Sequence, residues 1–118
     1  MNGRATIPPM ASTPEPPYLA VIFTNRQVEG DHADYDRTAS RMVELAQRVD
    51  GFLGIESVRS PDGTGITVSY WRDEAAIEAW RTDPEHLDAQ AAGRDDWYAW
   101  YELRIARVER ASSYTRPT

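Results

Sequence analysis

Apolar and polar residues alternate with a period of two along four segments of the chain, which predicts four β-strands. The first segment, residues 18–25, is largely apolar at both sets of alternate positions, so this strand should be covered on both faces. The others are residues 52–59, 65–71 and 97–109. Because the turn sequence Pro61-Asp62-Gly63 separates the second from the third, these two should form a hairpin.

A helical period follows the first strand. Asp31 is predicted to cap the start of this helix and Asp50-Gly51 to end it, because glycine tolerates the left-handed backbone of a helix end. The apolar positions that recur at helical spacing are Tyr35, Ala39, Met42, Val43, Ala46 and Val49.

Two shorter helices are predicted between the third and fourth strands. Asp73 should cap the first of them, which carries Trp80. Asp83-Pro84 should open the second, because proline suits the first helical position after an aspartate cap, and Gly93 should close it. The order strand, helix, strand, strand, helices, strand predicts an α+β ferredoxin-like β-α-β-β-α-β fold with one antiparallel sheet.

The distribution of proline separates a domain from its tails. Residues 1–17 contain five of the eight prolines among small and polar residues, which predicts a flexible arm. Residues 18–110 form the predicted domain, and residues 111–118 form a short polar tail. In this fold the helices cover one face of the sheet. The other face would expose Ile66, Val68 and Tyr70, so the sequence predicts a homodimer that buries it.

Composition excludes several classes of function. A formal net charge of -6 predicts no attraction to nucleic acid or to an anionic membrane, and the absence of cysteine excludes disulfides and thiolate metal sites. No apolar run approaches the ~20 residues of a membrane span, and no signal-peptide pattern is present, so we expect a cytoplasmic protein. Motifs for phosphate, flavin or nicotinamide binding and spaced metal ligands are absent as well.

Polar and aromatic residues share one alternation of the third strand. Thr67, Ser69 and Trp71 lie on it, opposite aliphatic positions, which favours a cleft on that face. Asn25 ends an otherwise apolar strand face, so it either caps the strand end or offers its amide to a substrate oxygen. His86 is interpreted either as a solvent-facing residue of a first helical turn or as a general base.

Aromatic residues are abundant, with four Trp, six Tyr and two Phe. Trp71 and Trp80 are predicted either to fill the core or to wall a pocket. The run that begins with Trp97 and Tyr98 is predicted either to lie in a dimer interface or to stack against a flat polycyclic substrate.

Across residues 18–110 the chain resembles the antibiotic biosynthesis monooxygenase superfamily. The resemblance rests on Thr24-Asn25-Arg26, Gly51-Phe52-Leu53-Gly54, Val68-Ser69-Tyr70-Trp71, and the helix of residues 76–80 followed by Pro84-Glu85-His86. It implies a dimeric α+β barrel that oxygenates a phenolic, quinone or polyketide-type molecule with dioxygen and without a bound cofactor. An ionised phenol can supply the electrons itself, with His86 as base, Asn25 as hydrogen-bond donor and Trp71 as a wall.

A heme-degrading branch of the same superfamily has an Asn at the end of the first strand, a Trp at the end of the third and a helical His that ligates iron. Asn25 and Trp71 match the first two. Counting from Trp80, the place of the iron ligand falls at Gln90, a poor ligand, and the nearest imidazole is His86. The resemblance therefore implies a cofactor-independent oxygenase. A heme-binding or heme-degrading enzyme and a non-catalytic carrier of small hydrophobic ligands are the alternatives. The residues predicted to contact substrate are Thr67, Ser69, Trp80, Gln90, Trp97 and Tyr98.

Overall fold

The computed structural model describes residues 10–30 and 32–117, and within them one antiparallel sheet of four strands carries helices on one face. The strands are β1 (Tyr18–Gln27), β2 (Phe52–Arg59), β3 (Thr64–Trp71) and β4 (Tyr98–Val108). Their order across the sheet is β2-β3-β1-β4, with every neighbouring pair antiparallel. The predicted α+β ferredoxin-like fold is confirmed.

The helices are α1 (Ala33–Ala46), α2 (Glu74–Arg81) and α3 (Pro84–Ala92), and a single π-helical turn (Gly93–Trp97) follows α3. The side chain of Asp73 accepts a hydrogen bond from a backbone N–H in the first turn of α2, as predicted for a cap. Asp83 caps α3 in the same way. None of these helices is long and apolar enough to cross a membrane.

Two helix ends differ from the sequence prediction. The helix α1 ends at Ala46, and Gly51, with φ of +98°, lies in the turn that leads into β2. Gly93 follows the last residue of α3, as predicted, but it has a right-handed φ of -60° rather than a left-handed one, and the chain continues into the π-helical turn. Glycine is needed there for space, since a Cβ atom would lie 2.9 Å from a ring carbon of Tyr98. Asp31, the predicted cap of α1, lies outside the described residues.

The core lies between the sheet and the helices. Trp71 is its largest side chain and is 1% exposed, and it packs with Ala46, Ala76 and Ile77. An ion pair ties α1 to the start of α3, because Nε and Nη2 of Arg41 each donate to a carboxylate oxygen of Glu85 at 3.0 Å. The helices are thereby fixed over β1, β2 and β3.

The opposite face of the sheet is covered in part by the end of the predicted arm. The backbone N–H of Ala11 donates to Oε2 of Glu56 at 2.9 Å, and Oγ1 of Thr13 lies 2.9 Å from the hydroxyl of Tyr18. Glu56 also accepts from the hydroxyl of Tyr70 at 2.6 Å. Burial, and then this hydrogen bond, raise the pKa of Tyr70 to about 12. Residues 1–9 lie outside the described residues.

Two apolar surfaces stay open to solvent. One is the rest of the non-helical face, where Ile66 is 42% exposed and Val58 is 65% exposed. The other is β4, an edge strand of 11 residues that exposes about half of Leu103 and Ile105. An exposed apolar edge strand is a template for pairing with another chain.

Candidate functional site

The predicted site residues of β1 and β3 share the helix-covered face. Asn25 pairs with Gly65, while Thr67, Ser69 and Trp71 follow along β3 on the same alternation. Trp71 lies six residues beyond Gly65, which is about 20 Å along the strand. The structure therefore places Asn25 and Trp71 at opposite ends of one face, which we call the Asn25 end and the Trp71 end.

Three flat side chains stack at the Trp71 end. The indole of Trp71 lies 6.3 Å from that of Trp80, and the imidazole of His86 lies 4.0 Å from Trp80, measured between ring centroids. Nε1 of Trp71 donates to Oγ of Ser69 at 2.9 Å, which satisfies the polar atom of an otherwise buried ring. Trp71 and Trp80 thus belong to the packed core next to His86.

His86 is half-buried rather than solvent-facing. Its Nδ1 lies 3.0 Å from the backbone oxygen of Trp80. Because a carbonyl only accepts, this contact assigns the proton to Nδ1 and leaves Nε2 of the neutral ring as an acceptor. Burial lowers the pKa of His86 below its ordinary value, against the weaker opposing effect of the Trp80 carbonyl. The ring is therefore neutral at neutral pH, with Nε2 as an acceptor, and burial makes it a weaker base than an exposed imidazole.

At the other end of the face, Asn25 is 0% exposed. Its Oδ1 accepts a hydrogen bond from Nη1 of Arg59 at 2.9 Å. Its Nδ2 is buried and has no hydrogen-bond partner among residues 10–30 and 32–117. β1 continues to Gln27, so Asn25 does not cap the strand end. That this amide binds a substrate oxygen stays a prediction.

Arg59 was not predicted as a site residue. Besides Asn25, it donates from Nη1 to the backbone oxygen of Gly63 at 2.7 Å and from Nη2 to the hydroxyl of Tyr35 at 3.1 Å. The guanidinium carbon also lies 5.5 Å from the centre of the Tyr35 ring. The sequence feature that could have identified Arg59 is the alternation of β2. It places this charged side chain on the helix-covered face, where Arg59 pairs with Gly65 of β3.

Aromatic rings surround the Asn25 end. Tyr35 contacts both Trp97 and Tyr98 edge to face, with centroids 5.6 and 5.8 Å apart. Tyr98 in turn contacts Phe23 and Tyr101 at 5.3 and 6.1 Å. Burial raises the pKa of Tyr98 above its ordinary value, and Tyr35 beside it raises it further. Trp97 and Tyr98 are thus linked to Asn25 through Tyr35, whose hydroxyl accepts from the same guanidinium that contacts Asn25.

The remaining predicted residues lie between the two ends. Oγ1 of Thr67 is 2.8 Å from Oγ of Ser57 on the neighbouring strand, and Ser69 accepts from Trp71. Gln90 is half-buried on α3, one helical turn beyond His86. The helix α3 begins beside Trp80 and leads through the π-helical turn to Trp97, so it runs from one end of the face to the other.

The donor set does not fit heme. The position predicted for the iron ligand holds the neutral amide of Gln90, and the nearest imidazole, that of His86, lies one helical turn earlier and is stacked on Trp80. We therefore derive no chemistry through heme. Within the described ranges, no three His, Asp or Glu side chains are grouped to hold a metal ion.

Similar proteins are found by sequence and by structure. The sequence model of the family described as antibiotic biosynthesis monooxygenase matches residues 19–92. The uncharacterized protein YqjZ of Bacillus subtilis is 50% identical over 109 residues, which are 92% of this chain and 95% of that protein. Jasmonate monooxygenase ABM of Pyricularia oryzae is 36% identical over 94 residues, 76% of this chain but only 43% of that protein.

Among solved structures, SnoaB, a cofactor-independent oxygenase from Streptomyces nogalater, superposes with a TM-score of 0.66 at 17% identity. The superposition covers 87% of this chain and all of SnoaB. At this identity the likeness shows a shared fold and nothing more.

Proposed function

The chain belongs to the antibiotic biosynthesis monooxygenase family, and we propose that it oxygenates a small aromatic, quinone or polyketide-type molecule with dioxygen and without a bound cofactor. The observation that carries the proposal is the Asn25 amide. It is a fully buried donor without a partner among the described residues, set beside a wall of aromatic rings. Leaving such a donor unsatisfied costs about 1–3 kcal/mol, and a substrate oxygen would satisfy it.

The proposed reaction draws all its electrons from the substrate. A phenol conjugated with a ring CH2 group loses a proton, and the anion gives one electron to dioxygen. The resulting substrate radical and superoxide combine to form a carbon–oxygen bond, and the hydroperoxide then loses water to leave a carbonyl. In balance, CH2 and O2 become C=O and H2O, so one oxygen atom enters the product and the other leaves as water. The protein has to hold and desolvate the anion.

In this scheme Asn25 donates a hydrogen bond to the substrate oxygen, while Tyr98 and Trp97 pack against the rings. His86 is proposed as the base, since its Nε2 is the acceptor of a neutral imidazole. Asn25 and His86 lie at opposite ends of the face, about 20 Å apart along the strand. A small aromatic molecule held by Asn25 is too short to contact His86 directly, so His86 would act on it through intervening water.

We also propose that two copies of the chain pair to bury the open apolar surfaces. Ile66 and Val58 on the non-helical face and Ile105 on β4 are all exposed in the single chain. Their burial against a second copy would remove both the apolar area and the unpaired edge from water. A dimeric α+β barrel is the assembly that this pairing would form.

Oxygen uptake with an anthrone-type phenol tests the proposed reaction. We expect one dioxygen consumed per product, no dependence on added flavin or nicotinamide, and one labelled oxygen atom in the product when labelled dioxygen is supplied. Tryptophan fluorescence follows binding in parallel, because Trp97 lies at the Asn25 end. Binding of the phenol without uptake of dioxygen would overturn the proposed oxygenase activity and favour a carrier of small hydrophobic ligands.

A further inference from the structure

The orientation of the Asn25 amide is set by Arg59. A guanidinium has donors and no acceptor, so the Asn25 atom at 2.9 Å from Nη1 has to be the oxygen. The opposite rotation of the amide would place two donors against each other. Nδ2 is therefore held on the side away from Arg59, where it is buried without a partner among the described residues.

Gly65 provides the space for this contact. On β3 it lies between Asn25 of β1 and Arg59 of β2 in the strand register. A Cβ atom at position 65 would lie 2.8 Å from the guanidinium carbon, closer than real Cβ contacts. The guanidinium thus crosses the sheet over a position that has no side chain. The carbonyl of Gly63, which accepts from the same Nη1, and the hydroxyl of Tyr35, which accepts from Nη2, also hold the guanidinium in place.

Arg59 also leaves positive charge at this end of the face. Its three acceptors are an amide oxygen, a backbone oxygen and a phenol, all of them neutral. The ion pairs among the described residues involve other arginines and not Arg59. A half-buried guanidinium without a carboxylate, next to an amide donor without an acceptor, is complementary to an anionic oxygen.

We infer that Arg59 is a positioning and specificity-determining residue, which fixes Asn25 with Nδ2 toward the ligand and makes the site bind the ionised form of a phenol or enol in preference to the neutral form. This inference rests on the proposed function for the identity of the site. It adds Arg59 to the residues of that site, and it specifies that the bound ligand is an anion. It also assigns a reason for a small residue at position 65.

Binding of 4-nitrophenol tests the inference without any turnover, because the ionised and neutral forms of this probe differ in visible absorption. The parent should bind the ionised form at least roughly tenfold more tightly, which lowers the apparent pKa of the bound probe by about one unit. Arg59→Gln should lose most of this preference. Gly65→Ala should lose it as well, because the new methyl group displaces the guanidinium while the charge is retained. The matched control is Arg37→Gln, whose side chain is 71% exposed, and it should behave as the parent.

Circular dichroism and melting curves establish whether each variant folds. If Arg59→Gln does not fold, the result for Gly65→Ala decides the test. A parent that binds the neutral probe as tightly as the anion would overturn the inference, and so would folded Arg59→Gln and Gly65→Ala that keep the parent's preference. The proposed function fails separately: an anion preference that depends on Arg59 but no oxygenation of any phenol would leave the inference standing. Oxygenation of a phenol by a protein whose anion binding does not depend on Arg59 would support the proposed function and overturn the inference.

Discussion

His86 lies face to face on Trp80, with ring centroids 4.0 Å apart and planes 13° apart. The same tryptophan supplies the backbone oxygen that meets Nδ1 of the imidazole. One residue at the end of α2 therefore fixes both the plane and the tautomer of a residue in the first turn of α3. The ring is desolvated by this stack, and its charged form is disfavoured.

The stability of the protein should depend on the protonation of His86. Burial lowers its pKa in the folded state below the ordinary value of 6.5, so the unfolded chain takes up the proton first as the pH falls. The contribution of His86 to the free energy of unfolding is therefore fully present above pH 6.5. It is lost as the pH falls toward the pKa of the folded state. Melting curves between pH 8 and pH 5 should show this decline in the parent and a smaller one in His86→Gln. An unchanged slope in His86→Gln would contradict the prediction.

Trp71→Ala should cost about 3–5 kcal/mol of stability, because a buried tryptophan leaves a large cavity when it is truncated. Trp71 is 1% exposed and contacts both Phe52 and Trp80. Urea unfolding measures the loss. Tyr114→Ala is the control, since Tyr114 is 82% exposed and lies in the tail beyond β4, and it should cost much less. Similar losses for the two variants would mean that Trp71 is not the centre of the core.

Local signals predicted the elements better than the site. The caps at Asp73 and Asp83 depend on contacts within three residues, and the shared face of Thr67 and Trp71 follows from the period of two. The distance of Asn25 from Trp71 depends instead on the register of β1 with β3, which no local pattern specifies.

The role of Arg59 was missed for a related reason. Its contact with Asn25 crosses a strand and exists because the position between them, Gly65, has no side chain. A sequence pattern read along one strand cannot show such a relationship. The end of α1 differed for another reason: Gly51 has the left-handed backbone that ends many helices, but here it belongs to the turn into β2.

Heme should bind weakly and without a histidine ligand. Gln90 occupies the position expected for the ligand, and the imidazole of His86 lies one helical turn earlier with one face covered by Trp80. Heme titration followed by absorption spectroscopy checks this. A tight complex with a histidine-ligated spectrum that is lost in His86→Ala would show that the chain ligates iron one turn earlier than expected.

Ile66→Asp should shift a dimer toward monomers. Ile66 lies on the open non-helical face and is 42% exposed in the single chain, and a carboxylate buried there against a second copy would be unpaired. Light scattering at micromolar concentration measures the change. Leu87→Asp is the matched control, because Leu87 is 46% exposed but lies on α3, on the helical side of the sheet. A parent that is already monomeric at that concentration would remove the basis of the prediction.

Asn25→Leu should abolish most turnover and leave folding almost unchanged. Asn25 is completely buried, so both polar atoms of its amide affect the free energy of unfolding. Leucine removes the unsatisfied Nδ2 donor, which favours the folded state, and removes one of the three acceptors of Arg59, which disfavours it. The two effects oppose each other, so the net change should stay within about 1–2 kcal/mol.

The same substitution deletes the hydrogen-bond donor proposed for the substrate anion, so oxygen uptake should fall by roughly 10²–10³. Gln27→Leu is the matched control, because Gln27 is the other buried amide of β1, at 8% exposure, and has no proposed contact with substrate. Equal losses of uptake in the two variants would indicate damage to the strand rather than to chemistry. Full uptake in a folded Asn25→Leu variant would contradict the role of the amide, since the donor that carries the proposed function would then be dispensable.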